Sequence, residues 1–273
     1  LHDLRLGNSD EPQLIGTILS SVSIFLVGGG PDTTTSLGVF DAFRSELQAH
    51  ASGRRPRVAV VVFDHEGSAQ RYLPAYTEVL VGSAAVEIQS VLVRRGRTVE
   101  PDIFVDLDGI VVAGGPTPDY LAGLSSASAG IRAAVGSGVP YVGFSAGAMI
   151  APDAALIGGL RMAGLQVCPS DWSEGLDQVT VRPGLGLLSF TVDVHSAQAG
   201  TLGRAVALVE AGEVATTVGI DEDTCLVLAG PASGLDGCSV AGSGSVWIVD
   251  YEQDRAVVSR IQATLPNPLP DPA

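Results

Sequence analysis

Lysine is missing from this chain. All fifteen basic residues are arginine, set against thirty Asp and Glu, and the formal charge is −15 over 273 residues. Without lysine there is no Schiff-base former, no phosphate-loop Lys and no Ser–Lys catalytic base. So acidic a chain is unsuited to sequence-independent nucleic-acid binding and to anionic membrane surfaces, so neither partner is expected. Asparagine is nearly missing as well, and both shortages read as codon bias rather than as function.

Cysteine is scarce too. Cys168, Cys225 and Cys238 are too few and too scattered for a disulfide framework, and they lack paired metal-ligand spacing. They read as buried thiols in a reducing compartment, which points to the cytoplasm. No stretch is long and apolar enough for a membrane span, and the first residues have no basic-then-apolar signal pattern. No metal and no cofactor are expected. What the chain does have is 46% hydrophobic residues, ample for a large core.

Residues 1–20 carry no clear period and read as an N-terminal arm. From 21 to 155, apolar runs alternate with helical spacing. Strands are expected at 21–27, 57–63, 86–93, 108–113 and 139–144, and helical stretches at 33–49, 69–82, 120–124, 131–135 and 146–155. That rhythm argues a parallel sheet covered on both faces. Later the runs shorten (178–181, 189–194, 216–220, 224–228, 245–249, 256–261), with one helix at 201–210. They read as an antiparallel extension of the same sheet. The fold class expected is therefore α/β, a three-layer sandwich with a mostly parallel central sheet and an antiparallel C-terminal extension. One catalytic domain would span 21–265, and the Pro-rich tail 266–273 cannot join a ladder.

Gly143-Phe-Ser-Ala-Gly147 falls between an apolar strand and a helix. In that context G-x-S-x-G signifies a nucleophile elbow, a turn so tight that the residues flanking Ser145 at two positions' distance must lack side chains. The turn sets the hydroxyl above the sheet edge at a helix N-terminus, where negative charge is favoured. The Gly28-Gly29-Gly30-Pro31 run lacks any phosphate-loop pattern and reads as a tight turn.

A serine nucleophile needs a base, and the base needs an orienting group. Of four histidines, His195 ends the 189–194 run, where it can project over the same sheet edge as Ser145. The carboxylate would come from Gly-Ile-Asp221-Glu222-Asp, in which Asp221 and Glu222 are equivalent on sequence grounds. The backbone N–H of Ala146 and one from Gly114-Gly115 would form the oxyanion hole.

These pieces occur in one order: Gly114-Gly115, Gly-Phe-Ser-Ala-Gly-Ala (143–148), Gly-Leu-Gly-Leu-Leu (184–188), Asp193-Val-His195, Leu202-Gly203-Arg204 and Gly219-Ile-Asp-Glu-Asp-Thr224. The set resembles the serine peptidase family of aspartyl dipeptidase (dipeptidase E) and cyanophycinase, from Ser21 to about Gly230. The resemblance implies a fold like the class I glutamine amidotransferases and a Ser-His-Glu triad. On this chain those residues are Ser145, His195 and, preferred over Asp221, Glu222. It also puts Gly115 and Ala146 at the oxyanion hole, and Thr117, Asp193 and Arg204 at the substrate. The chain departs from the cyanophycinase pattern at Ala199 and Thr201, where that type carries arginines, at Val194, often Gln, and at Pro116-Thr117 after the glycine pair. The hydrolytic set is intact and the substrate pocket is rewritten. A small peptide or isopeptide-like substrate is expected, with a homodimer left open.

Three other functions compete with this one. An esterase of the α/β-hydrolase type puts its acid before a His near the C-terminus, whereas some 78 residues follow His195 here. A glutamine amidotransferase needs an elbow Cys and His-x-Glu, but this chain has Ser145 and Ala197. A catalytically silent binding protein on the same fold is distinguished only by testing for an active Ser145.

Overall fold

The computed structural model describes residues 23–30, 37–81, 85–230 and 234–263. The expected arm 1–20, the tail 266–273, and the domain limits at 21 and 265 lie outside them. Elements in chain order are β1 (Ile24–Val27), α1 (Leu37–Ala51), β2 (Arg57–Phe63), α2 (Ala69–Val81), β3 (Glu87–Val93), β4 (Gly109–Val112), α3 (Thr117–Leu124), α4 (Ser128–Gly136), β5 (Tyr141–Phe144) and α5 (Ala146–Met149). There follow β6 (Ala154–Leu156), β7 (Arg161–Met162), β8 (Leu165–Gln166), β9 (Val181–Pro183), β10 (Thr191–Val194), α6 (Leu202–Glu210), β11 (Thr216–Ile220), β12 (Thr224–Leu228), β13 (Ser239–Gly242), β14 (Ser245–Glu252) and β15 (Arg255–Gln262).

Among the described residues, the central sheet has the order β13-β12-β1-β5-β4-β2-β3. From β1 to β3 it is parallel, and β12 and β13 continue it antiparallel. Strands β1, β4 and β5 are buried throughout, which explains why Ile-Phe-Leu-Val and Gly-Ile-Val-Val show no polar alternation. Helix α1 presses Phe43 and Leu47 against Gly109 of β4, where a Cβ would come within 2.3 Å of Leu47 Cδ2. Phe43 also meets Phe25 of β1 edge-on.

The expected antiparallel extension is there in β12 and β13, but four further late strands form a second sheet, β10-β11-β14-β15. Alternation tells which face of a strand is buried, and it says nothing of which sheet the strand joins. The helix expected to run to Ala155 stops at Met149. Pro152 disfavours helix in the residue before it and offers no N–H, so Ala154–Leu156 leaves as β6 and pairs with β9.

The two sheets meet at the carboxyl end of β1. Ser145 N–H donates to Val27 O (2.9 Å), and His195 N–H donates to Gly28 O (3.0 Å). The end of the elbow strand and the end of β10 thus hang on adjacent residues of one chain.

Candidate active site

Ser145 has φ +51° and ψ −109°, a conformation L residues adopt only when their surroundings impose it. The flanking glycines are the reason it can. A Cβ on Gly143 would sit 2.5 Å from Gly147 O, and one on Gly147 would sit 2.2 Å from Val112 O. Tyr141, fully buried, donates its hydroxyl to Gly147 O (2.7 Å) and holds the far side of the turn.

Ser145 Oγ lies 2.9 Å from His195 Nε2. His195 Nδ1 lies 2.7 Å from Glu222 Oε1. A hydroxyl at that distance can pass its proton to the imidazole, and the carboxylate on the far nitrogen orients the ring. Asp221, the other sequence candidate, points elsewhere. Its buried carboxylate accepts the N–H groups of Ala197 (3.0 Å), Ser245 (2.9 Å) and Trp247 Nε1 (2.9 Å), tying the loop after His195 to the second sheet. Gln198 Oε1 accepts the N–H of Glu222 (2.9 Å).

The glycine run after β1 lies beneath this array. A Cβ on Gly28 would fall 2.1 Å from Asp221 O, and one on Gly29 would fall 2.1 Å from His195 Cε1. Gly29 O accepts the N–H of Asp223 (2.9 Å). The run read as a turn is a passage where backbone must approach the imidazole, and three adjacent glycines after a buried strand are the signal for that.

Gly114 is clamped by two phenols. Its N–H donates to Tyr76 Oη (3.2 Å), and its carbonyl accepts from Tyr120 Oη (3.2 Å), which itself accepts Phe63 N–H (2.8 Å). Burial pushes the Tyr76 hydroxyl up to about 12 and Tyr120 higher still, so both stay protonated at neutral pH. The clamp fixes the backbone leading to Gly115, whose φ of +148° suits glycine. Ala146, fully buried, opens α5 directly after Ser145.

Ser145, His195 and Gly115 line a cavity of about 220 Å³ together with Met149, Trp172 and Glu174. Trp172 and Glu174 were not foreseen, since the segment that carries them has no motif and reaches the site only through folding. Thr117, expected at the substrate, is buried and donates its hydroxyl to Glu174 Oε1 (2.7 Å). Of Asp193 and Arg204, also expected at the substrate, only Arg204 lines the cavity. Asp193 is wholly buried, and its two oxygens take Arg204 Nη2 (2.7 Å) and Nε (3.0 Å). Arg204 borders the cavity, but Nη1 donates to Trp172 O (2.9 Å). The pair braces the cavity wall from inside. Across Gly115, an apolar hollow of about 430 Å³ is walled by Phe63, Tyr72 and Pro116.

A larger hollow, about 630 Å³, lies between His50, Phe104 and Leu107 at the amino ends of the parallel strands, away from Ser145. Chemistry in open α/β sheets sits at the carboxyl ends, so size does not make it the active site. Among the described residues no three His, Cys, Asp or Glu side chains are grouped to hold a metal ion, and no helix is long and apolar enough to cross a membrane.

The sequence profile of peptidase family S51 matches residues 24–233. This chain belongs to peptidase family S51. The S51 profile covers the elbow, His195 and Glu222 in one alignment, and the chain is a serine peptidase. The fold agrees. The crystal structure of a peptidase from an acI-B1 Actinobacterium superposes with a TM-score of 0.63 over 89% of this chain and 94% of that one, at 18% identity. A protein assigned to peptidase E from Listeria monocytogenes EGD-e gives a TM-score of 0.48 at 16% identity, over 88% of this chain and 99% of that one. At 18% identity the likeness to the first is one of fold. No curated protein matches this peptidase by sequence.

Proposed function

We propose that this S51 peptidase cleaves small peptides or isopeptide-like bonds through Ser145 as nucleophile, His195 as base and Glu222 as the carboxylate that orients it. The observation that carries the reading is the continuous relay of 2.9 Å and 2.7 Å that starts at a serine on a strained elbow. Ser145 Oγ attacks the carbonyl carbon while its proton passes to His195 Nε2. The N–H groups of Gly115 and Ala146 receive the oxyanion. The carbon–nitrogen bond then breaks, and the departing amine takes the proton from His195, leaving an ester on Ser145. Water attacks that ester with His195 again as base, and Ser145 regains its proton. Every step uses groups of this chain and water, so the reading calls for no cofactor.

The test is labelling with a fluorophosphonate. The expected result is one label per chain, absent in Ser145→Ala and strongly slowed in His195→Ala. A labelled Ser145→Ala protein, or an unlabelled wild type, rejects the mechanism. The unlabelled case favours a silent binding protein.

A further inference from the structure

Besides His195, the charged side chains that line the active-site cavity are Arg204 and Glu174, and Glu222 stands behind the histidine. Arg204 is paired through two hydrogen bonds with buried Asp193. Glu222 is engaged with His195. Glu174 remains. Its Oε1 accepts Thr117 Oγ1–H (2.7 Å) and Thr117 N–H (3.3 Å), while its other oxygen has no hydrogen bond or ion pair among the described residues. The carboxylate therefore faces the cavity anchored at one oxygen and open at the other.

Its position is built in. Glu174 has φ +55°, and Gly158 lies so close that a Cβ there would come 2.7 Å from Glu174 Cβ. Gly159 N–H donates to Ser173 O (2.9 Å), which pins the preceding residue. A non-glycine residue held in the left-handed region at a cavity wall is strain that its surroundings impose. Arg204, in the same wall, feels the Glu174 charge, but its guanidinium is already paired with buried Asp193; Ala199 is buried, and Thr201 gives its hydroxyl to Val194 O (2.6 Å). The field of a chain with net charge −15 points the same way.

We propose that Glu174 sets the specificity of this active site, selecting peptides that bring an ammonium or guanidinium group into the cavity beside Ser145. The proposal rests on the Ser145 peptidase reading above. A cavity of about 220 Å³ takes one residue's cationic portion, with the apolar hollow beyond Gly115 left for the other side of the scissile bond. Free carboxylates on the substrate would be repelled by Glu174 and disfavoured.

The experiment measures kcat/KM on Ala-Leu, N-acetyl-Ala-Leu, N-acetyl-Arg-Leu and N-acetyl-Asp-Leu for the wild type and for Glu174→Gln. Gln keeps an acceptor for Thr117 and removes only the charge. At least one cationic peptide should exceed neutral N-acetyl-Ala-Leu by about tenfold or more, the scale of one charge-assisted contact. The Ala-Leu arm reports an α-ammonium and the N-acetyl-Arg-Leu arm a guanidinium. In Glu174→Gln the cationic-to-neutral ratio should fall towards one through KM, and in Glu174→Arg the N-acetyl-Asp-Leu peptide should overtake the cationic ones. A ratio unchanged in Glu174→Gln overturns the proposal. So does a wild-type preference for N-acetyl-Asp-Leu, or no cleavage of any peptide by an enzyme whose Ser145 takes the fluorophosphonate. If wild-type Ser145 takes no label, the peptidase mechanism itself has failed, and the specificity proposal goes with it.

Discussion

Trp172 lies over the imidazole of His195, with ring centroids 4.6 Å apart and planes inclined at 40°. Trp172 is 40% exposed, while its backbone carbonyl is held by Arg204. Aromatic contacts of this kind are worth about 0.5–1.5 kcal/mol. Removing the indole should loosen the histidine without unfolding the chain. Trp172→Ala is expected to lower kcat/KM roughly tenfold with little change in Tm, and Trp172→Phe to recover part of it. Equal activity in wild type and Trp172→Ala would show that Trp172 does not position the histidine.

Tyr120 joins Phe63 N–H to Gly114 O, inside the core. Tyr120→Phe leaves both backbone groups without that partner, a loss of about 1–3 kcal/mol in stability. Because Gly115 follows directly, kcat should fall more than KM rises if its N–H receives the oxyanion. Equal effects on Tm and none on kcat would confine Tyr120 to a structural role.

Strain at Ser145 gives a separate signature. Ser145→Gly permits the positive φ freely and should raise stability by about 1 kcal/mol in thermal unfolding, while Ser145→Ala retains the strain and should not. Both variants lose the label. If the two melt alike, the strain at the elbow is negligible.

Acid stability should depend on Asp108. Burial pushes its carboxyl up, but the N–H of Arg57 (2.8 Å), His50 and Arg54 together outweigh burial and hold it below the ordinary carboxylate value. A group depressed in the folded state stabilises fully above its unfolded pKa of about 4, and that contribution fades as pH falls through the folded value. Asp108→Asn should therefore lower Tm at pH 7 and flatten the decline below pH 4. A wild-type Tm independent of pH between 5 and 2 would contradict this.

Much of the site was legible because its residue types carry steric demands of their own. Gly143 and Gly147 report the elbow since nothing larger fits either position. Glu222 and Asp221 were not separable by local sequence, because they are adjacent acids in one turn. Their division of labour follows from where β11 ends relative to β10, with one carboxylate turned to His195 and the other inward to Trp247. The setting of Arg204 was hidden for a related reason. An arginine near a pocket reads as a substrate grip until its buried partner is known, and Asp193, eleven residues away, is that partner.

By itself, the sequence determined the parallel core, through β-branched runs too apolar to face water, and the serine's elbow, through glycines that exclude every alternative. It determined the overall charge and removed lysine chemistry altogether. Only the tertiary structure decided which late strands form a second sheet, that Gly29 after β1 makes room for His195, and that Trp172 and Glu174 wall the cavity. Those outcomes depend on contacts between residues distant in the chain. Local pattern records which face a residue buries, whereas pairing and cavity walls depend on what the rest of the chain brings against it.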